Sequence, residues 1–185
     1  MNLVEELGKK HSLAIKNKII RYVGTDPKRF DELMKIFMGD SYRLTQWAGW
    51  PLSDIVKKHP GLIRPYLKSV LKRLDTGTPK LVGRETNKGR NAMHVAVKRN
   101  VMRLLQFIDI PPAIRGLAFD KAFKLYSEKS EPIAVRVFAM TVMAQVAMKE
   151  PELKNEVIIA IEEQLPYGSA GFRNRAAKLL KALSK

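Results

Sequence analysis

The side chains that could do chemistry are a large excess of cations, three histidines, two tryptophans and two short hydroxyl-containing motifs. Asp75-Thr76-Gly77 spells the aspartic-protease tripeptide. That chemistry needs two carboxylates sharing one proton on a β scaffold. A single copy at a helix end reads as a stop-and-turn sequence. Ser69-Val70-Leu71-Lys72 has the S-x-x-K spacing of an acylating serine, but the companion motifs of that chemistry are missing. His11, His59 and His94 lie far apart with no H-E-x-x-H or other ligand spacing, so no metal site is expected. The glycines between positions 77 and 90 follow a helical pattern rather than a strand, which argues against a dinucleotide fingerprint. Cysteine is absent. Disulfides, thiolate nucleophiles and Cys-ligated zinc are thereby excluded, and a reducing cytoplasm is the expected setting. No catalytic residue and no cofactor is expected.

What remains is charge. The 34 Lys and Arg against 18 Asp and Glu give a formal net charge of +16. That balance favours a polyanionic partner: nucleic acid, an acidic protein or an anionic surface. The first twenty residues have acids before their lysines and no continuous apolar core, unlike a signal peptide. The most apolar run, 133–148, is too short for a membrane span and carries Arg136, so no membrane is expected. The 185 residues are enough for one domain with a core, and a monomer is the working expectation.

The cations must be positioned by helices, because periodicity near 3.6 runs through most of the chain. Leu3, Leu7, Ala14, Ile15, Ile19 and Val23 share one face, predicting a helix over 3–23 that Gly8 weakens. Asp26-Pro27 is a cap followed by proline at the first helical position. It opens a second helix to about Met38, with Phe30, Leu33, Met34 and Phe37 inward. Gly39 ends it, and Asp40 or Ser41 caps the next. In the third segment, 42–59, Pro51 is expected to kink or restart the helix. Trp47, Trp50 and Asp54 stand there at helical spacing. The tryptophans read first as core beside Leu52 and Ile55, and second as aromatic groove contacts. Asp54 reads as a helix-surface or cap residue.

Pro60 opens a fourth predicted helix with Ile63, Leu67, Val70, Leu71 and Leu74 inward. Arg64, Lys68 and Lys72 follow one another by a turn on its other side. Residues 75–90 form a basic Gly/Thr-rich loop carrying Lys80, Arg84, Lys88 and Arg90. Further helices are predicted over about 91–108, 112–128, 133–148, 153–165 and 171–183. The 133–148 helix is apolar almost all round, with Thr141, Gln145 and Lys149 on one narrow stripe, so neighbours must bury it. Pro151 turns it into a one-sided helix, making an antiparallel hairpin.

The pattern is therefore all-α, with helix pairs roughly 40 to 47 residues apart. Arg43, Arg90, Arg136 and Arg175 fall near the starts of first helices of pairs. This organisation resembles HEAT-type repeats and implies a right-handed α-solenoid of about four to five hairpins over 1–185. One stretch, 52–67 (LSDIVKKHPGLIRPYL), further resembles the HEAT-like DNA alkylation-repair glycosylases, where a helix ends in a His-Pro step before a similar apolar pattern. Their catalytic aspartate lies upstream of that step. The corresponding stretch here, Ser41 to Gln46, contains no acid. The resemblance implies the scaffold and a basic concave groove lined by the second helix of each pair. Arg64, Lys68 and Lys72 would then line it, with Lys28, Arg29 and Lys35 on the preceding inner helix. Arg115, Lys121 and Lys124 lie on the following one. Lys80, Arg84 and Arg90 add loop cations. The last inner helix turns acidic with Glu152, Glu156, Glu162 and Glu163. The reading is a non-enzymatic binding module whose groove takes nucleic acid. The alternatives are a glycosylase relative and a scaffold for an acidic protein. Phosphate contacts of this kind hold a backbone but read no sequence.

Overall fold

The computed structural model describes residues 1–9, 11–39, 41–75 and 95–185. The expectations for Asp40, for 76–90 of the loop with Lys80, Arg84, Lys88 and Arg90, and for His94 lie outside them. Among the described residues the regular structure is helical, with no strand. They form two compact units, Met1–Ile108 and Asp109–Lys185.

In the first unit the helix expected over 3–23 is two: α1 (Leu3–Lys9) and α2 (Leu13–Val23). The reason is local. The Ser12 hydroxyl accepts from the Ile15 N–H at 3.3 Å, so Ser12 caps a new helix instead of continuing the old one. Gly24, at φ 50°, closes α2 with its N–H on the Ile20 carbonyl, a backbone state that glycine adopts without steric cost. Helix α3 (Pro27–Met38) starts where Asp26-Pro27 predicts, and the Asp26 carboxylate accepts from Lys28 N–H at 2.8 Å. Its buried residues are Phe30, Leu33, Met34 and Phe37.

Helix α4 (Tyr42–Lys58) continues through Pro51, where a kink or restart was expected. Packing overrides propensity here: Ala48, Pro51, Leu52, Ile55 and Val56 are all buried. The Ser53 hydroxyl also donates to the Gly49 carbonyl at 2.6 Å. The fourth helix is more broken than periodicity suggests. Pro60–Tyr66 is a 3₁₀ turn, and only Leu67–Lys72 is α-helical, as α5. Pro65 lacks an N–H and would clash with the carbonyl four residues back, which disfavours α geometry at that point. Helix α6 (Val95–Leu105) packs against α4.

In the second unit α7 (Pro112–Ser127), α8 (Ile133–Ala147), α9 (Lys154–Gln164) and α10 (Ala170–Leu183) follow the expected hairpin pattern. Helix α8 contacts all three of the others and buries Val135, Ala139, Met140, Val142, Met143, Ala144, Val146 and Ala147. Thr141 of its polar stripe is used internally. It donates to the Val137 carbonyl at 2.9 Å and accepts from Arg175 at 3.0 Å. Tyr126 is fully buried, donates to the Ala160 carbonyl at 3.0 Å and stacks on Phe172. Burial pushes its phenol up to about 12.

Candidate functional site

The basic row predicted from spacing sits on the 3₁₀ turn and α5. Arg64, Lys68 and Lys72 are exposed, while Ile63, Leu67, Val70 and Leu71 behind them are buried. None of the three cations makes an ion pair with a described residue. The element carrying them is anchored to α3, because the Tyr66 hydroxyl donates to Asp31 at 2.8 Å. Hydrogen bonds from Lys35 and then Tyr66 hold the Asp31 carboxyl below its ordinary range. Burial, aided by Asp31, raises the Tyr66 hydroxyl.

The other expected cations differ in engagement. Lys28 is exposed on α3 and makes no ion pair with a described residue. Arg29 pairs with Asp26 at 3.3 Å, donates to the Tyr22 carbonyl and lies 4.6 Å from the centre of the Tyr22 ring. Lys35 pairs with Asp31 at 2.7 Å. In the second unit Arg115 is structural: its side chain is 16% exposed, bonded to Glu150 at 2.8 Å and to the Ile110 carbonyl at 2.9 Å. Lys121 is half-buried and engaged, and Lys124 is exposed.

The tryptophans fall between the two readings of them. Both are half-buried on α4. His11 stacks on Trp47 at 5.8 Å and tilts against Trp50 at 5.0 Å. Arg43 covers Trp47 and Lys16 covers Trp50, 5.5 and 4.8 Å from the ring centres. The cavity left among Leu7, His11, Ile15, Trp47 and Trp50 is about 10 Å³, far too small for a base.

A second feature was not legible in the sequence. Helices α2 and α4 enclose an open cleft of 470 Å³ lined by Lys16, Asn17, Ile20, Arg21, Asp54, Lys57 and Lys58. Lys16 and Asp54 pair in it at 2.6 Å, their side chains 13% and 30% exposed. Arg103, half-buried on α6, lies near enough to feel the Asp54 charge. Burial lowers its guanidinium from the ordinary value, Asp54 opposes the shift and Arg99 adds to it. The available signal was the polar stripe of α2 opposite Ile19 and Val23, but nothing in the sequence placed it against α4.

Among the described residues no group of three or more His, Asp or Glu could hold a metal ion. Nor is any of their helices long and apolar enough to cross a membrane. Within each unit, helices bury apolar faces against their neighbours, the packing of a helical-repeat module. The chain belongs to the HEAT repeat domain family, whose sequence model matches residues 3–183. No curated protein and no solved structure matches it significantly.

Proposed function

We propose that the module binds nucleic acid through Arg64, Lys68 and Lys72. The observation that carries this reading is their lack of an acidic partner among the described residues, on a surface where other basic side chains have one. Lys35 and Arg29 are tied to Asp31 and Asp26, whereas the row has no such partner among the described residues and is exposed in front of a buried face. Lys68 and Lys72, four residues apart in α5, stand about 6 Å apart along the helix axis. Lys28 extends the available charge. Three phosphate contacts release about three counterions and contribute about −2.7 to the slope of log K against log salt on duplex DNA.

The test is fluorescence anisotropy with duplex DNA, single-stranded DNA and RNA, titrated with salt. Wild type is compared with Arg64→Glu/Lys68→Glu/Lys72→Glu. Binding that tightens as salt falls, and a triple variant whose slope flattens by about 2 to 3, supports the reading. No binding at 100 mM salt overturns it and favours an acidic protein ligand; equal slopes for both proteins overturn the assignment to this row. Base excision, the alternative reading, is checked on the same material by release of alkylated purine from DNA.

A further inference from the structure

We propose that the α2–α4 cleft is a separate site for a phosphoryl dianion, as carried by pyrophosphate, a free nucleotide or the phosphorylated end of a nucleic acid. It goes beyond the backbone contacts assigned to the Arg64 row and does not depend on them. Lys16, Arg21, Lys57 and Lys58 surround a single carboxylate, Asp54. Three other acids of this unit are paired elsewhere: Glu6 with Lys9 and Lys18, Asp26 with Arg29, and Asp31 with Lys35. Arg21 and Lys58 are exposed and make no ion pair with a described residue. Lys57 lies 5.8 Å from the Phe107 ring centre and likewise has no acid. The cleft therefore carries a net positive field in a recess, where low-dielectric walls strengthen it.

Shape and charge together select the ligand. A volume of 470 Å³ lies within the range of small-molecule sites and accommodates a terminal phosphoryl group with part of its attached nucleoside. A continuous duplex backbone needs an exposed row; a recess admits an end. The attraction of a fixed cationic field scales with ligand charge, so a terminal dianion gains about twice what a monoanionic diester gains. Lys16 is the responsive element. It now divides its charge between Asp54, at 2.6 Å, and the Trp50 face, at 4.8 Å. A phosphoryl group entering over Asp54 would compete for the Lys16 ammonium, and Trp50 would register the move.

The experiment follows tryptophan emission as magnesium-free pyrophosphate is titrated into the full chain. The expected result is saturable binding that weakens about tenfold in Lys57→Gln/Lys58→Gln, as charge-assisted contacts are lost. Asp54→Asn, near-isosteric, should strengthen it several-fold by removing the like charge. The Arg64→Glu/Lys68→Glu/Lys72→Glu variant should leave pyrophosphate binding unchanged, so failure here and failure of the nucleic-acid reading are told apart. A short oligonucleotide with a 5′-phosphate or a 5′-hydroxyl identifies the source. Preference for the phosphorylated end that disappears in the Lys57/Lys58 variant assigns a nucleic-acid terminus, and equal affinities assign a free phosphate compound. The proposal falls if pyrophosphate at millimolar concentration does not bind, or if Asp54→Asn weakens binding.

Discussion

Replacing Gly49 with alanine tests how α4 and α6 are brought together. Gly49 is buried mid-helix, where alanine would ordinarily stabilise by about 1 kcal/mol through helix propensity. Here a Cβ would fall on Asn100 of α6, 2.5 Å from its Cγ and 3.1 Å from its Cβ. Asn100 is only 2% exposed, and its amide donates to the Gln46 carbonyl at 3.4 Å. A new rotamer moves Cγ but not Cβ, so α6 itself must shift. Overpacking of this kind costs about 1–3 kcal/mol. Set against the propensity gain, the expected net loss is about 0–2 kcal/mol, a melting-temperature fall of up to about 8 °C. Urea unfolding followed by tryptophan emission is the assay, since Trp47 and Trp50 flank the substitution. Asn100→Ala removes the Cγ overlap and leaves only the 3.1 Å Cβ contact, so Gly49→Ala should cost less in that background, with a coupling of about 1 kcal/mol or more. Gly49→Ala that raises stability, or a coupling near zero, would refute the close approach. With it would go the placement of Arg103 beside Asp54.

Tyr126, raised to about 12 by burial, contributes stability that is full below its ordinary value near 10 and is lost as pH rises toward 12. The loss is about 2–3 kcal/mol, and Tyr126→Phe should remove that alkaline component in pH-dependent unfolding. Glu6 is held below its ordinary 4.5 by Lys9 and then Lys18, and Asp31 below 3.8 by Lys35 and then Tyr66. Their contributions are present above those values and lost as pH falls through the lowered ones. Glu6→Gln/Asp31→Asn should therefore show a shallower acid limb than wild type; an identical limb would count against both pairings. Asp26→Ala removes the α3 cap and should cost about 1 kcal/mol in urea unfolding.

Local features were legible in the sequence and relational ones were not. The Asp26-Pro27 helix start, the apolar girth of α8 and the Arg64–Lys68–Lys72 row depend on residues within a few turns of one another. Even there, Ser12 and Pro65 broke predicted helices, because capping and proline sterics act at single positions that an averaged pattern smooths over. Arg115 looked like a groove cation; its partner Glu150 is 35 residues away, and spacing within one helix says nothing about it. The cleft depends on Lys16 meeting Asp54 across 38 residues. That meeting is set by which helix stacks on which, and helical periodicity leaves it open.

Helix α8 also has a consequence for how the protein is made. It needs α9 and α10 for its burial, and α10 closes only at Leu183. On the ribosome about 36 further residues must follow Ala147, which at translation speeds of about 5–20 residues per second takes roughly 2–7 s. Until then the methionine- and valine-rich surface of α8 lacks two of the three helices that bury it within this unit. A slow codon run placed after it would lengthen the exposure and lower the yield of folded chain.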